Sequence, residues 1–421
     1  MSRHRKNMKK VMTMKKTIQT LLFLLLGMTL CCSIPGQAHA KKNFTLSTSS
    51  KPYKNKYMKS AAYNKYTKHY LTIRSYLDYM STKGGGTLTL KKGTYNLTNA
   101  IVVPSNVTIL LKDGVVMNKT NNTHTKALKA GHVLFECVRG SRINKKGIVG
   151  RYNGEKNIRI AGEGTVTINL GKCNKSEAIR IPHCQNVSVE NISFTNLRDG
   201  HFIEINASKN VTVANCTFSN NKNGERCAIN IDTPDKLTDG FNGKYSKFDK
   251  TPNIDVTIKN CGFYNLHRGI DTHRYSPNKY HTNIQVLGCT FRGSAQSPVM
   301  MENWKNAVIS GNTFDEVKGW NDSDIQKEKF GIFMKGGVID PIIRDNTFDH
   351  VYLPIFAKGN HKDSDLNYPA TYSSFSAASI ESMKHNTLGP NAVFRYFAIS
   401  DREIPYIAKS DYHYAKYEFQ A

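Results

Sequence analysis

The chain has 421 residues, and its 59 lysines and arginines outnumber its 32 aspartates and glutamates, giving a formal net charge of +27 at pH 7. Beyond residue 40, no segment approaches the roughly 20 apolar residues that a membrane span needs, so we expect no transmembrane helix there. The seven cysteines after residue 40 are an odd number, which excludes a complete set of disulfides, and their spacing matches no zinc motif.

Residues 1–40 have the three parts of a secretory signal peptide: a basic segment, the apolar run TIQTLLFLLLGMTLCCSI and the small-residue end GQAHA. This order predicts export and cleavage after Ala40. Cleavage would remove seven basic residues and no acid, lowering the net charge from +27 to about +20. A secreted chain this basic is expected to bind an acidic polysaccharide or an anionic cell wall, whereas no aromatic–basic motif favours nucleic acid.

Four regions are expected along the chain. The signal peptide precedes a flexible segment at 41–64, a solenoid catalytic domain at 65–362 and a C-terminal capping region at 363–421. The stretch KYTKHYLTIRSYLDYM, residues 65–80, has a helical apolar period and is predicted to cap the open end of the solenoid. A Gly turn and several short strands follow in GGGTLTLKKGTYNLTNAIVVPSNVTILL.

A repeated unit sets the predicted fold. NVSVENISF, NVTVANCTF, NIDVTIKNCGF, NIQVLGCTF, NAVISGNTF and DPIIRDNTF are alternating strands that end in Phe after a turn-prone residue. The shortest spacings of the terminal Phe residues, 24, 28 and 23, suit one coil of short strands, and stacked coils bury a continuous core. We therefore predict an all-β, right-handed parallel β-helix in which Phe stacks on Phe. Cys216, Cys261 and Cys289 are expected to stack as buried packing groups.

The Gly turn, first strand and GTY step resemble the opening of the pectate-lyase-like superfamily, and the likeness covers roughly residues 65–360 at the level of fold. The resemblance implies a right-handed parallel β-helix. It leaves the activity open, because that superfamily contains lyases, hydrolases, epimerases and non-catalytic adhesins.

A second strand in each repeat concentrates titratable residues on one outward face. Alternation directs its third and fifth residues outward, and neighbouring coils lie about 4.8 Å apart. The third positions are Arg180, Glu204, Asn230, Asp271, Met300, Phe333 and Phe356, and the fifth are Pro182, Asn206, Asp232, His273, Glu302, Lys335 and Lys358. We expect Asp232, His273, Glu302 and Lys335 to form one ladder. The apolar members are expected to make a sugar platform, and insertions after Asp232 and before residue 331 to wall a groove.

These groups suit abstraction of the proton α to a uronate carboxylate, which requires a base and a cation that neutralises the carboxylate. His273 is the preferred base, oriented by Asp232 or Asp271, and Lys335 is the second candidate. Arg274 and Arg180 are candidates for neutralising the carboxylate. The predicted substrate-binding residues are Arg180, Glu204, Asn206, Asn230, Glu302, Trp320 and His267.

The stretch GIDTH, residues 269–273, is similar to the Gly-aromatic-Asp-Pro-His motif of alginate C5-epimerases, with Thr272 in place of Pro. That resemblance implies active-site roles for Asp271 and His273. The signatures of polygalacturonases and of pectate lyases are absent. We expect a monomeric polysaccharide lyase acting by β-elimination. A uronate epimerase, a glycosidase with paired carboxylates and a non-catalytic glycan-binding surface protein remain alternatives. No cofactor is expected, unless Asp232, Asp271 and Glu302 bind Ca²⁺.

Overall fold

The computed structural model describes residues 41–221, 226–272, 275–319, 329–359, 371–403 and 415–420 of the chain. The N-terminal part contains a 3-10 turn, Tyr53–Asn55, and the helix α1, Lys68–Ser81. Its strands are β1 Phe44–Leu46, β2 Gly86–Leu90, β3 Gly93–Leu97, β4 Ile101–Val102, β5 Val107–Leu111, β6 Val115–Lys119, β7 Val133–Glu136, β8 Lys156–Gly162 and β9 Val166–Asn169.

Among the described residues, the middle of the chain consists of twelve strands that follow one another from residue 176 to residue 292. They are β10 Ser176–Pro182, β11 Gln185–Glu190, β12 Ser193–Leu197, β13 Gly200–Asn206, β14 Lys209–Ala214, β15 Thr217–Asn221, β16 Cys227–Asp232, β17 Ile254–Lys259, β18 Gly262–Tyr264, β19 Arg268–Asp271, β20 His281–Leu287 and β21 Thr290–Arg292.

The C-terminal part contains β22 Val299–Glu302, β23 Trp304–Lys305, β24 Val308–Ser310, β25 Thr313–Asp315, β26 Phe330–Gly336, β27 Ile342–Arg344, β28 Thr347–Asp349 and β29 Leu353–Gly359. The helix α2, Ala377–Lys384, comes next and is followed by β30 Thr387–Leu388, β31 Tyr396–Glu403 and β32 Ala415–Glu418. Neither described helix is long and apolar enough to cross a membrane.

The strands stack into three sheets, which confirms the predicted β-helix. Sheet 1 runs β1-β2-β5-β8-β11-β14-β17-β20-β24-β27, with β23 also paired to β20. Sheet 2 runs β4-β7-β10-β13-β16-β19-β22-β26-β29-β31-β32, and sheet 3 runs β3-β6-β9-β12-β15-β18-β21-β25-β28-β30. Each coil contributes a strand to sheet 1, then to sheet 3, then to sheet 2. Within the described residues the pairing is parallel except between β31 and β32.

The predicted Phe stack forms the centre of the core. Phe194, Phe218, Phe263, Phe291, Phe314 and Phe348 are register partners in successive strands of sheet 3, with ring centroids 4.6 to 5.0 Å apart. Each of these side chains is fully buried. Cys216, Cys261 and Cys289 are also buried and unpaired by disulfides, as expected for packing groups.

Asparagine residues at the coil corners form a second ladder, on the outside. Asn157, Asn186 and Asn210 adopt φ values of 54° to 56°, a left-handed conformation that Asn tolerates better than most residues. The amide of Asn186 donates to Asn157 Oδ1 and the amide of Asn210 donates to Asn186 Oδ1, both at 2.9 Å. The left-handed conformation at the corner therefore explains the Asn at the start of these sheet 1 strands.

The limits of the coil differ from those expected. In the segment 41–64, expected to be flexible, β1 pairs with β2, and the rings of Tyr53 and Tyr79 stack with centroids 4.2 Å apart. Leu46 is buried in the core, and this apolar contact holds the segment against the coil, which its short length did not indicate. At the other end, β30 and β31 continue sheets 3 and 2 beyond residue 362. The predicted capping helix is confirmed as α1, which buries Leu71, Leu77 and Met80 against the first coil.

We predict that Phe314→Ala lowers the free energy of unfolding by about 3–5 kcal/mol, because it removes a ring packed between two others and leaves a cavity. Thr313→Ala is the matched control, since Thr313 is exposed on the same strand, and we expect a change of less than about 1 kcal/mol. Denaturant titration followed by circular dichroism measures both. Equal losses in the two variants would show that the Phe stack is not a principal source of stability.

Candidate functional site

The outward row predicted from the third strand positions is confirmed on sheet 2. Arg180 pairs with Glu204, Glu204 with Asn230, and Asn230 with Asp271. The row continues through Met300, Phe333 and Phe356. One further member precedes it, because Glu136 of β7 is the register partner of Arg180. The repeat alignment did not extend back to β7, so this carboxylate was missed.

The fifth-position ladder is only partly as predicted. Asn206 is the register partner of Pro182 and of Asp232, as expected. The predicted Glu302–Lys335 neighbours are wrong, because the register shifts after Met301 and Glu302 pairs with Gly336 instead. A single extra residue in β26 produces this irregularity, and the alignment of apolar positions could not detect it. His273, Arg274 and Trp320 lie outside the described residues.

The outward row is covered rather than open to solvent. Arg180 is 4% exposed, Asp271 2% and Asp232 0%. Over one end of it, Phe241 and Tyr245 of the insertion after β16 pack with Val102, Val138 and Val149. The insertion predicted to wall a groove therefore lies across the face itself.

The apolar members of the row do not form a sugar platform. Met300, Phe333 and Phe356 are at most 2% exposed and pack with Phe330, Leu353 and Ala398 in a separate apolar cluster. The prediction of an exposed stacking surface is therefore wrong for these three residues. Outward direction on a strand does not ensure exposure when later segments pack over the sheet.

Arg180 is the centre of a buried ionic cluster. Its guanidinium contacts Glu177 through two hydrogen bonds, lies 3.2 Å from Glu204 Oε2 and lies 3.8 Å from Glu136 Oε1. Its Nη2 is 3.1 Å from His132 Nε2, and the guanidinium carbon is 5.5 Å from the centroid of the Phe241 ring. Three protein carboxylates already surround this cation, so the prediction that Arg180 neutralises a substrate carboxylate does not fit the structure.

The pKa values of the three carboxyl groups around Arg180 are shifted in different directions. Burial raises the pKa of Glu204 well above its usual range, and the neighbouring Glu177 raises it further. Burial also acts to raise the pKa of Glu177, but the charge and hydrogen bonds of Arg180 outweigh it and lower that pKa to about 2. A hydrogen bond joins the two side chains, so neutral Glu204 donates to ionised Glu177. Burial raises the pKa of Glu136 as well, and Glu136 Oε1 accepts from the Tyr245 hydroxyl at 2.5 Å.

A narrow polar cavity of about 100 Å³ lies beside this cluster. Arg180, Glu204 and Asn230, three of the predicted substrate-binding residues, line it, and Lys175, Asp199 and Arg226 lie at the starts of neighbouring sheet 2 strands. The insertion contributes the other wall through Asp239, Gly240, Phe241 and Asn242. The structure thus brings part of the predicted set together around one cavity.

Sequence reasoning missed Glu177 and His201, which also line the cavity. They are register partners near the starts of β10 and β13, and the pairing of β13 with β16 brings His201 Nδ1 to 3.3 Å from the Cys227 sulfur. Their signal was available: the strands begin SEAI and GHFI, so a titratable side chain stands at the same place in consecutive coils. The alignment began one residue later and left them out.

The second half of the row is also built from partnered groups. Asp271 Oδ2 accepts from Arg268 Nη1 at 2.9 Å, and Arg268 contacts Gln296 through Nη2. Thr272 donates to the Ile231 carbonyl and accepts from the indole of the buried Trp304 at 2.8 Å. Asn206 donates to Glu204 Oε1 at 2.9 Å. These contacts fix the polar side chains in place before any ligand binds.

Two further histidines lie on this side of the coil. His281 is fully buried, and its Nδ1 accepts from the Asn253 backbone amide at 3.0 Å, so its proton is on Nε2. Burial lowers the pKa of His281 to about 4, while Asp232 acts in the opposite direction. The predicted substrate-binding His267 is half-buried just before β19, and its carbonyl accepts from the Gln296 amide. It does not line the cavity.

Metal-ligand side chains converge at a different place. Among the described residues, Asp315, Asp349 and His350 on sheet 3 form a group whose ligand atoms lie within 4.8 Å of one another. His350 Nδ1 lies 3.0 Å from Asp315 Oδ1 and 3.4 Å from Asp349 Oδ2. None of the three carboxylates suggested for Ca²⁺ belongs to this group, and calcium binding by Asp232, Asp271 and Glu302 stays a prediction.

The fold and register define a right-handed parallel β-helix protein with a covered polar row on sheet 2. PfbA, a surface adhesin of Streptococcus pneumoniae, is similar, with a TM-score of 0.54 and 20% identity over 79% of this chain and 76% of that chain. At that identity the likeness shows the fold alone.

Two other solved structures align less well. The tailspike protein of E. coli bacteriophage HK620, in complex with a hexasaccharide, gives a TM-score of 0.48 and 13% identity over 84% of this chain and 62% of that one. A mannuronic acid specific polysaccharide family 6 lyase from human gut microbiota gives 0.42 and 14% over 75% and 67%. No protein-family model and no curated protein matches the sequence.

We predict that Glu204→Gln becomes more stable relative to the wild type as the pH rises. The raised pKa lets folded Glu204 keep a proton that the unfolded chain loses near its ordinary value of 4.5. Wild-type stability therefore falls with pH by up to about 1.4 kcal/mol per unit, until the folded-state pKa is passed, and the amide lacks this term. Denaturant titrations between about pH 5.5 and 8 measure the difference.

Glu381→Gln is the control for this pH dependence. Glu381 is exposed, and its hydrogen bond with Lys384 lowers its pKa, so above about pH 5.5 it is ionised in both the folded and unfolded chain. Its effect on stability should be constant over the range. A constant difference for Glu204→Gln as well would mean that Glu204 is ionised in the folded protein.

Proposed function

We propose that the protein is an exported carbohydrate-active β-helix, and that it cleaves a uronic-acid polysaccharide by β-elimination at the outward face of sheet 2. The observation that carries this proposal is the concentration of buried titratable side chains on that face. Glu136, Glu177, Arg180, Glu204 and Asp271 are each at most 5% exposed there. The acidic polymer is further supported by the net charge of about +20 that cleavage after Ala40 would leave.

Stability does not account for these buried groups. The Phe stack and the apolar strand residues already complete the core, whereas an ion removed from water carries a desolvation penalty of several kcal/mol. Titratable groups with shifted pKa values beside a cavity are typical of sites that bind or transform a ligand. The face therefore supports a functional role for the row more than a structural one.

β-Elimination requires a base at C5 of the uronate, a cation near its carboxylate and a proton for the departing oxygen. The base takes the C5 proton, the C4–O bond breaks, and a C4–C5 double bond forms, while the departing oxygen takes a proton from the protonated base or from water. We assign the base to His273, with Asp271 and Asp232 positioning it. Arg226 and Lys175 replace Arg180 as candidates for the cation, because Arg226 is partly exposed at the cavity mouth and Lys175 is exposed there.

The Arg180 cluster argues against a glycosidase built on Glu177 and Glu204. Their side chains hydrogen-bond to each other, whereas glycosidase carboxyl groups are about 5 Å or more apart to admit the sugar. A C5-epimerase begins with the same proton abstraction as a lyase and is separated from it by its product.

A non-catalytic glycan-binding protein is the second candidate. It is favoured because two arginines at this face are already paired. Arg180 binds protein carboxylates, and Arg268 binds the row member Asp271. A row neutralised in this way can position hydroxyl-binding groups such as Asn206 and Asn230 without taking part in a reaction. The two candidates differ in whether any bond of the polymer breaks.

The test is ultraviolet absorbance of the unsaturated uronate during incubation with alginate, hyaluronan, chondroitin, heparosan or polygalacturonate. We expect one polymer to give a rising signal, and expect His273→Ala and Asp271→Asn to reduce kcat/KM by about 10²–10⁴-fold because the base or its orientation is lost. Asp345→Asn is the control, since this exposed aspartate lies after β27 in sheet 1.

A rising signal that survives both substitutions would place the chemistry elsewhere in the molecule. A flat trace with every polymer would overturn the lyase proposal. NMR of the recovered polymer would then separate an epimerase, which changes the C5 configuration, from a protein that only binds.

A further inference from the structure

A basic depression lies on the outside of the cover, away from the polar row. Its volume is about 680 Å³, and four lysines and one aromatic residue line it: Lys146, Lys236, Lys244, Lys247 and Phe248. The other lining residues are Gly147 and Ser246, so no acidic side chain is among its described lining. The charges of four cations add around one concave surface, so the electrostatic potential in the depression is positive.

Backbone hydrogen bonds fix the two segments that carry Lys146, Lys244 and Lys247. Gly147 N donates to Lys244 O at 3.1 Å, Val149 N to Tyr245 O at 2.9 Å, and Lys247 N to Val149 O at 2.8 Å. Val149 and Tyr245 are buried in the apolar cluster beneath. The buried Ser246 hydroxyl accepts from Phe248 N at 3.0 Å and lies 2.8 Å from His183 Nε2. The lysine side chains therefore project from a rigid base.

Phe248 gives the depression an apolar surface. The ring of Phe248 is partly exposed. Its backbone has a φ of 53°, a left-handed conformation that is uncommon for a bulky residue. The Lys236 ammonium lies 5.3 Å from the ring centroid, so a cation and an aromatic face are presented together. Ile148 follows Gly147 and Leu237 follows Lys236 in the sequence, and both are exposed large hydrophobic side chains of the described chain.

We propose that this depression binds an acidic polysaccharide outside the catalytic row, with ammonium groups contacting its carboxylate or sulfate groups and Phe248 packing on a sugar ring. Sugar rings have apolar C–H faces and the anionic groups lie at their edges, which matches an aromatic floor with lysines around it. This inference rests on the proposed function only for the class of ligand. It needs no bond cleavage, and it assigns the covering insertion a binding role of its own.

The binding test compares two triple variants with equal loss of charge. Lys236→Ala/Lys244→Ala/Lys247→Ala removes the depression lysines, and Lys126→Ala/Lys129→Ala/Lys305→Ala removes exposed lysines elsewhere. Fluorescence anisotropy with labelled alginate and with labelled dextran sulfate gives Kd for a carboxylate and a sulfate polymer. We expect the first variant to bind about tenfold more weakly than the second, and the gap to shrink at high salt.

Phe248→Asn tests the aromatic contact, because Asn accepts the left-handed backbone and removes the ring. We expect weaker binding of alginate with little change in salt dependence. Equal Kd values for the two triple variants would overturn the proposal, whatever the lyase assay shows. An equal preference for duplex DNA, lost in the same variant, would also overturn it by showing a general polyanion surface.

The comparison of the two triple variants and the Phe248→Asn test measure binding and do not depend on catalysis. The Asp345→Asn variant should bind labelled alginate as the wild type does, because Asp345 lies after β27 in sheet 1 and is not among the residues that line the depression. If no polymer is cleaved but the first triple variant still binds more weakly than the second, the proposed reaction is wrong and the proposed binding surface is kept.

Discussion

The in-register parallel hydrogen bonding between successive coils determines where the other features of this molecule lie. It places equivalent side chains of adjacent coils about one strand spacing apart, roughly 4.8 Å. Inside the coil, this spacing suits stacked Phe rings, whose centroids are 4.6 to 5.0 Å apart. At the corners it suits amide-to-amide hydrogen bonds between Asn side chains. On the outward face of sheet 2 it brings Arg180, Glu204, Asn230 and Asp271 side by side, though 91 residues of sequence separate the first from the last.

The sequence revealed what this repetition controls. The Phe period and strand alternation were enough to predict the β-helix and the register from Arg180 to Phe356. Features that do not repeat were not predictable in this way. The irregularity between Met301 and Glu302 depends on one local residue count, and the pairing of β1 depends on a segment that lacks the repeat. Burial of the row depends on the insertion carrying Phe241 and Tyr245, whose packing leaves no periodic signal.

Burial changes the chemistry that the row can support. In water Arg180 would be available to a uronate, but under the insertion it is bound by Glu177 and lies close to Glu204 and Glu136. One cation cannot balance three ionised carboxylates away from solvent, so protonation of Glu204 reduces the net negative charge of the cluster. The result is a preorganised and nearly neutral hydrogen-bonding surface. Cations for an acidic ligand must come from groups that keep contact with water, such as Arg226 at the cavity mouth.

The covering insertion links these two environments. Its inner side supplies Phe241 and Tyr245, which exclude water from the row, and its outer side supplies Lys236, Lys244 and Lys247. Lysines on the inner side of the insertion would be repelled by the positive charge of Arg180. On the outer side they remain solvated and attract polyanions over a distance of about a Debye length. The same segment thus separates positive charge that recruits a polymer from the buried groups that would act on it. This division explains how so basic a chain keeps a nearly neutral row at the centre of its candidate site.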